Sequence, residues 1–310
     1  MSLFPSKVVI AGGSGFIGAA LAAELVRRGR SVTVLTRSPK PRKDGVREVA
    51  WDGRTPGTWG GELEGAEALV NLTGKSVNCP HTEENVREIV ASRVDSVRAL
   101  ATAVARCAVR PKVWVQASAT GFYGDTGDRM CDESGGNGAD VLAKTCREWE
   151  GAMQAGLLDL PEVRSVVLRI GFVLGSGGGA LSVLAQMTRW GLGGAAGSGR
   201  QYISWIHLRD VVRIFAAAVE EGRMAGGYNT VGPQPVTNGA FMRELRRVLG
   251  RPWSPPAPSF AVRLGARMMG SEGSLALVSQ RCEPKRLLAA GFVFEFPELA
   301  GALQDLCGRG

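Results

Sequence analysis

Short, continuous apolar segments recur along the first half of the chain. They have the aliphatic, often β-branched character of strands that are buried on both faces of a parallel sheet. The pattern predicts such strands over Lys7–Ala11, Ser31–Leu35, Ala68–Leu72, Val113–Ala117 and Arg164–Ile170.

Helical periodicity occupies intervals between these strands. It predicts helices over Phe16–Arg28, His81–Cys107 and Ala143–Ala155. In the longest of them, apolar residues recur at helical spacing and form one stripe, made of Val86, Val90, Val94, Val97, Ala101 and Val104. Strands that alternate with helices predict an α/β fold with a doubly wound parallel sheet.

The pattern becomes looser after Gly175, where glycine-rich loops and the proline-rich Pro252–Pro258 appear. We expect 1–175 to form the main domain, with 200–232 returning to its sheet through Tyr202–His207 and Tyr228–Val231. Residues 176–199 and 233–310 are expected to form a smaller C-terminal lobe on the substrate side.

A glycine motif connects the first strand to the first helix. Gly12, Gly15 and Gly18 follow Ala11 as GxxGxxG. The first allows a tight turn, the second lets the backbone approach a pyrophosphate, and the third lets the helix pack closely on the strand. The alternative is an ordinary glycine turn, but the complete βαβ context favours a Rossmann-type dinucleotide site.

The end of the second strand predicts which dinucleotide is bound. An NAD site places a carboxylate there, whereas this chain has Thr36, Arg37 and Ser38 and no acidic residue before Asp44. Arg37 can bind a 2′-phosphate through charge-assisted hydrogen bonds, and Lys40, Arg42 and Lys43 add positive charge. The sequence therefore predicts NADP(H), the alternative being a solvated basic loop.

Composition excludes several other classes. The 310 residues carry 37 Lys and Arg against 29 Asp and Glu, a formal charge of +8. Because no aromatic residues interleave the basic cluster, we expect no nucleic-acid partner. The six cysteines are scattered and there are only two histidines, so neither a disulfide scaffold nor a metal site is predicted. Met1–Lys7 has no signal-peptide pattern and no apolar run reaches spanning length, so we expect a cytoplasmic protein without a membrane partner.

Sequence motifs that cover nearly the whole chain carry a family resemblance. The motifs are GGSGFIG near the N-terminus, NLTG at Asn71–Gly74, SRVDS at Ser92–Ser96, SATGFYGD at Ser118–Asp125, WE at Trp149–Glu150, LRIGFVLGSGGGAL at Leu168–Leu181, GSGRQYISWIHLRD at Gly197–Asp210, NTVGPQPVTNGAF at Asn229–Phe241 and PKRLLAAGFVFEFPEL at Pro284–Leu299. With these motifs, the sequence resembles epimerase-family proteins of the atypical extended short-chain dehydrogenase/reductase type, a group without a settled substrate.

The resemblance implies a Rossmann fold, NADP(H) as cofactor and a small C-terminal lobe. It implies that Thr36 and Arg37 face the 2′-phosphate, that Leu72 and Thr73 lie at the adenine-side ribose, and that Val173 lies near the nicotinamide. The predicted cofactor-binding residues are Gly12, Ser14, Gly15, Phe16, Ile17, Gly18, Thr36, Arg37, Leu72, Thr73, Gly74, Glu88, Arg93 and Val173. Arg93 interrupts the apolar stripe of its helix, which suits either a buried anion partner or an exposed arginine.

The usual acid/base pair of the wider superfamily is missing. That pair is a Tyr whose phenol is activated by a Lys four residues later. The residues four positions after the three tyrosines are Gly127, Ile206 and Gly232. Counting back from Trp149–Glu150, the expected pair falls on Leu142 and Cys146.

Hydroxyl groups after the fifth strand remain as candidate catalytic groups. They are Ser118, Thr120 and Tyr123, of which Tyr123 has an alternative as a packed structural tyrosine. Other candidates have structural alternatives as well, namely Lys144, Cys146 and His207; for His207 the alternative is a structural histidine beside a helix capped by Asp210.

Two functions therefore fit the sequence. One is an NADP(H)-dependent oxidoreductase or epimerase that acts on a small, sugar-like or carbonyl substrate. The other is an NADP(H)-binding sensor or scaffold without turnover, which the absence of YxxxK favours. The charged outer face of Glu83–Cys107 is compatible with a monomer.

Overall fold

The computed structural model describes residues 6–308. Eleven strands lie in this part of the chain: β1 (Lys7–Ala11), β2 (Ser31–Thr36), β3 (Val46–Ala50), β4 (Ala68–Asn71), β5 (Val113–Ala119), β6 (Arg164–Ile170), β7 (Phe172–Leu174), β8 (Tyr202–Ile203), β9 (Trp205–His207), β10 (Gly226–Thr230) and β11 (Val236–Thr237).

Nine α-helices accompany them in the same part of the chain, together with short 3₁₀ turns. They are α1 (Phe16–Arg27), α2 (Glu83–Arg106), α3 (Val141–Gly156), α4 (Leu181–Arg189), α5 (Leu208–Glu220), α6 (Asn238–Val248), α7 (Ser259–Met268), α8 (Lys285–Ala289) and α9 (Leu299–Cys307).

Seven strands form one parallel sheet in the order β10-β6-β5-β4-β1-β2-β3. The chain progresses outward from β1 through β2 and β3, then returns to the other side of β1 with β4, β5 and β6. The direction in which successive strands are added to the sheet therefore reverses between β1 and β4. At this point Ala11 is paired with both Leu35 and Asn71. This is the doubly wound Rossmann arrangement, and it confirms the predicted fold class.

Helices cover both faces of the sheet. The helix α1 packs against α5, and α2 packs against α3. Because parallel crossovers are right-handed, the reversal of direction at β1 places these two helix pairs on opposite faces. The strands are apolar throughout because both faces are covered; Val8, Val9, Ile10 and Ala11 of β1 have no exposed surface.

The periodicity located five strands of the main sheet and the helices α1, α2 and α3 to within two residues, whereas the bounds of the other six helices of residues 6–308 were not predicted. Two further differences concern the strands. The edge strand β3 was not singled out, because Arg47 and Glu48 interrupt its apolar pattern. The expectation that Tyr202–His207 joins the main sheet is wrong. The chain bends at Gly171, so β9 pairs with β7 and β8 pairs with β11, while β10 takes the sheet edge beside β6.

A second apolar cluster lies beyond the sheet. It consists mainly of residues from α4, α6 and α9, with Trp205, Phe241 and Leu303 fully buried. In the part of the chain from 6 to 308, no helix combines the length and the apolar character that a membrane crossing requires.

Gly18 is required where α1 lies against the glycine loop that follows β1. A Cβ at this position would lie 2.6 Å from the Gly13 Cα and 2.8 Å from the Gly12 oxygen. A Cβ at Gly151 in α3 would meet no atom within 4 Å, which makes this glycine a matched control. We expect Gly18→Ala to lower the free energy of unfolding by about 1–3 kcal/mol through overpacking.

The control should behave in the opposite way. Gly151→Ala removes backbone freedom from the unfolded chain without a clash, so we expect a gain of about 0.5–1 kcal/mol. Urea unfolding of both variants measures the difference. An equal free energy of unfolding for the two variants would show that α1 and the glycine loop can move apart at Gly18 at no cost in stability.

Candidate active site

A cavity of about 550 Å³ opens at the carboxyl edge of the sheet, at the point where the strand order reverses. In doubly wound folds this crevice is where ligands bind. Its walls come from the loops after β1, β2, β3 and β4 and from one side of α2. The lining residues are Gly12, Ser14, Gly15, Leu35, Thr36, Arg37, Trp51, Asp52, Gly53, Arg54, Leu72, Thr73, Gly74, Lys75, Ser76, Glu88 and Ser92.

The glycine loop brings bare backbone to this cavity. Gly12 has φ +76°, and a Cβ there would come within 3.0 Å of the Leu72 carbonyl carbon and the Thr73 nitrogen. No side chain caps the N-terminus of α1 at Gly15, and no acidic residue lies in its first turn. The positive end of the helix dipole is therefore free to face an anion.

Thr73 supplies a polar group without a partner. Its Oγ1 is buried and has no hydrogen-bond partner within residues 6–308. Its backbone N–H donates to Asn71 Oδ1 at 3.0 Å, which holds the loop after β4 in place. An orphaned hydroxyl and a glycine cradle beside a helix N-terminus fit a dinucleotide.

Arg37 is the free cation at the end of β2. It is exposed, lines the cavity and forms no ion pair with any carboxylate of residues 6–308. The neighbouring Thr36 is buried and its Oγ1 donates to Ser14 Oγ at 3.3 Å, which ties β2 to the glycine loop. An unpaired guanidinium is available for a bidentate anion contact.

The expectation that Arg42 adds free positive charge is wrong. Its guanidinium is paired with Asp44 and, at 3.0 Å, with Glu48. The Arg42 contact also lowers the pKa of Asp44 to about 2. The charge of the basic loop after β2 is therefore partly neutralised. Arg37 keeps its charge unpaired within residues 6–308 and lines the cavity.

Glu88 and Arg93 lie on α2 but are placed differently. Glu88 borders the cavity and pairs with Lys75, whose Nζ also donates to Asn85 Oδ1 at 2.7 Å. Arg93 lies outside the cavity lining and donates to the carbonyl oxygens of Lys75 and Ile89 at 2.9 and 3.0 Å. Burial lowers the pKa of Arg93, and no carboxylate in the described chain pairs with it.

Four predicted cofactor residues besides Arg93 do not line the cavity. Gly18 and Ile17 pack between α1 and the sheet. The Phe16 ring lies against Gly175 and Gly178, and a Cβ added at either glycine would come within 2.6 Å of it. Val173 is half-buried in β7.

The segment after β3 was missed by sequence reasoning. Trp51, Asp52, Gly53 and Arg54 form part of the cavity wall, with Arg54 exposed and the Asp52 carboxylate accepting from the Arg54 N–H at 2.8 Å. A signal existed, since WDGR follows a strand-like VREVA. It was obscured because β3 itself lacked a clear pattern.

A buried polar network occupies the region after β5. Ser118 Oγ donates to Glu150 Oε1 at 2.6 Å, and Arg169 binds both oxygens of Glu150 at 3.0 and 2.9 Å. Arg169 also donates to the Tyr123 hydroxyl at 3.0 Å, and that hydroxyl donates to Asn229 Oδ1 at 2.8 Å. The network joins β5, α3, β6 and β10.

Tyr123 is held inside this network rather than at a surface. It is 1% exposed, and burial raises its pKa to about 12. Both hydrogen-bonding directions of its hydroxyl are used. This placement matches the structural alternative for Tyr123 and leaves it poorly suited to exchange a proton near neutral pH.

Thr120 belongs to a different environment. Its Oγ1 donates to Gln280 Oε1 at 2.6 Å, so a residue from the C-terminal part of the chain meets the end of β5. Gly121, beside it, would direct a Cβ toward Leu142, Gln280 and Cys146. Burial raises the pKa of the Cys146 thiol to about 11, so the two positions of the missing pair hold an apolar side chain and a protonated thiol.

Lys144 and His207 do not line the cavity. Lys144 is exposed, with Glu148 3.9 Å from its Nζ. His207 is buried, caps α5 by accepting from the Arg209 N–H at 3.1 Å, and stacks on Phe296 with ring centroids 3.9 Å apart. Burial lowers its pKa.

The expectation that Asp210 caps the helix is wrong. Asp210 has no exposed surface, and its carboxylate accepts from the N–H groups of Glu295 and Phe296 at 2.8 and 3.0 Å. The helix cap comes instead from the His207 imidazole. Asp210 therefore fastens the C-terminal segment to α5.

Comparison with known proteins gives two matching family models. One, described as the NAD dependent epimerase/dehydratase family, matches residues 8–231. The other, described as a domain of unknown function (DUF1731), matches residues 257–306. The epimerase family protein SDR39U1 of Bos taurus is 37% identical over 306 residues, which cover 97% of this chain and 99% of that protein.

Two solved structures are similar over almost the whole chain. Human epimerase family protein SDR39U1 (isoform 2), crystallised with NADPH, has a TM-score of 0.86 and 33% identity and covers 97% of this chain and 98% of that one. The nucleoside-diphosphate sugar epimerase of Corynebacterium glutamicum has a TM-score of 0.79 and 31% identity, covering 98% of this chain and 58% of that one.

Glu150 tests whether the buried network supports the fold. We expect Glu150→Gln to lower the free energy of unfolding by about 3–5 kcal/mol, because Arg169 is left buried without its counter-charge. Glu148→Gln on the same helix removes only an exposed partner and should cost at most about 1 kcal/mol. Urea unfolding compares the two, and a loss below that of the control would contradict a structural role for Glu150.

Proposed function

The chain belongs to the NAD dependent epimerase/dehydratase family, and on this premise we propose that it is an NADP(H)-dependent oxidoreductase or epimerase. Its substrate is a small carbonyl or sugar-like compound. The observation that carries the proposal is Arg37, an unpaired guanidinium at the end of β2, where an NAD site would have a carboxylate.

Three groups would hold the cofactor. The N-terminus of α1 and the backbone of Gly12 and Gly15 bind the pyrophosphate, and Leu72 and Thr73 of the loop after β4 line the position of a ribose. Arg37 binds the 2′-phosphate, assisted by the hydroxyl of Ser38. The NADPH in the crystal structure of human SDR39U1 supports this choice of cofactor.

The bound cofactor supplies hydride transfer at its nicotinamide. The chain's own contribution is to orient and polarise the substrate oxygen. Thr120, which is 3% exposed, and Gln280 are suited to this task because one is a hydroxyl and the other an amide, and they meet beside Gly121. On substrate binding, the Thr120 hydroxyl exchanges its bond with Gln280 for one with the substrate.

A second function is favoured by a specific observation. The hydroxyls of Ser118 and Tyr123 are both committed to the buried network, and burial raises the pKa of Tyr123 to about 12. Such a site favours an NADP(H)-binding protein that does not turn over. The tests below distinguish the two functions.

We expect Arg37→Ala to weaken NADPH binding by about tenfold to a hundredfold and to leave NADH binding nearly unchanged. The reason is that only NADPH carries the phosphate that Arg37 contacts. Fluorescence titration with each cofactor gives both affinities. Lys43→Ala is the matched control, since it removes the same charge from the same loop without touching the cavity.

A similar loss for NADH would contradict the role of Arg37. If wild-type protein bound neither cofactor, both functions would fail.

Turnover is tested with a panel of aldehydes, ketones and nucleotide sugars, followed by the loss of NADPH fluorescence. With any compound that reacts, we expect Thr120→Val to lower kcat by at least about tenfold with unchanged NADPH affinity, because it removes the hydroxyl and keeps the shape. Thr120→Ser should keep most of the rate. Equal rates for Val and Ser would exclude Thr120, and no reaction by wild-type protein that binds NADPH would support the non-catalytic function.

A further inference from the structure

The helix α7 has its apolar face turned outward. Phe260, Leu264 and Met268 recur at four-residue spacing and are 73%, 58% and 82% exposed. No residue of α7 is fully buried. In a surface helix of a globular protein the large apolar residues face the core. In α7 the three largest apolar side chains face outward instead.

The inner face of α7 consists mainly of small residues, with Val262 the largest of its half-buried side chains. Gly265 and Ala266 are half-buried, and a Cβ at Gly273 would come within 3.1 Å of the Ala266 Cβ. The 3₁₀ turn at Gly273–Ala276 thus already covers that side. The outer face is left for something outside the chain.

Positive charge lies along one edge of this outer face. Arg263 and Arg267 are exposed, lie one turn from Phe260 and Leu264 at helical spacing, and form no ion pair within residues 6–308. The stretch 243–271 contains six arginines and a single acidic residue, Glu244, which is paired with Arg247. The next acid, Glu272, is engaged with the backbone of His81 and Ser274.

The surroundings extend the apolar surface. Ala196 and Ala257 form a parallel bridge just before α7. Leu192 precedes Ala196 by four residues, and Trp253 precedes Ala257 by four. Leu192 and Trp253 are 62% and 74% exposed.

We propose that the outer face of α7 binds the surface of a bilayer that contains anionic phospholipids. Exposed Phe, Leu and Met beside unpaired Arg, with a nearby exposed Trp, are the composition of helices that lie in the membrane interface. The apolar side chains enter the acyl boundary while the two guanidinium groups bind lipid phosphates.

Charge complementarity decides between this partner and a second copy of the chain. Two α7 faces packed against each other would bring four unpaired arginines together without a carboxylate, and like charges at an interface are unfavourable. An anionic surface satisfies all of them. The proposal departs from the sequence-based expectation of no membrane partner, which rested on the absence of a spanning segment.

The experiment is flotation of the full chain with two kinds of vesicle, one of phosphatidylcholine alone and one with an equal part of phosphatidylglycerol. We expect binding to the anionic vesicles only. Arg263→Gln/Arg267→Gln should weaken it by about 30-fold, because each basic residue near such a surface contributes about five- to sixfold. Phe260→Ser/Leu264→Ser should weaken it by at least about tenfold.

Arg98→Gln/Arg106→Gln on α2 is the matched control. It removes two exposed, unpaired arginines from another helix, and it should bind the vesicles as wild type does. Retained NADPH affinity or unchanged thermal unfolding shows that each variant is folded.

Three results would overturn the proposal. They are absence of wild-type binding to the anionic vesicles, equal weakening by the control pair, and self-association in lipid-free sedimentation that Phe260→Ser/Leu264→Ser abolishes. The last result would identify a second copy as the occupant.

Discussion

The bidentate pair between Glu150 and Arg169 is the interaction on which the active-site region depends. Arg169 extends from β6 into the interior, where a charge is costly unless it is paired and hydrogen-bonded. Glu150 meets that need from α3, and the Ser118 and Tyr123 hydroxyls complete the hydrogen bonds. Removing one member leaves the rest with unsatisfied buried groups, so the network fixes the relative positions of β5, β6 and α3.

This constraint has a chemical consequence. The hydroxyls of Ser118 in β5 and of Tyr123 just after it are used for structure, so they are not free to act on a substrate. The third, on Thr120, is bonded to Gln280, which the chain supplies only after some 160 further residues. The candidate pair of Thr120 and Gln280 therefore exists only when the segment around Gln280 is in place, held there by the bonds of the Gln280 backbone to Tyr202 and Ser204.

At the cofactor end, by contrast, the important charge has no partner in the described chain. Of the basic residues in the loop after β2, Arg42 is neutralised by Asp44 and Glu48. Arg37 is left unpaired at the rim of a cavity formed by bare glycine backbone and a helix N-terminus. An unpaired cation beside an uncapped helix is a site for an anion because no carboxylate in the described chain competes for it.

The sequence by itself determined the sheet, the glycine loop and the cation at the end of β2. Those features are local: apolar strands, helical periodicity and GxxGxxG each act within a few residues, and parallel strands bring their loops to one edge. It did not determine the partner of Thr120, the role of Asp210, the edge strand β3 or the sheet to which Tyr202–His207 belongs. These depend on contacts between residues far apart in sequence, such as Ser118 with Glu150 and Thr120 with Gln280, which only the tertiary structure brings together. The sequence alone also did not determine that the apolar face of α7 is turned outward. Helical periodicity gives an apolar face, but packing decides whether that face meets the core or the solvent.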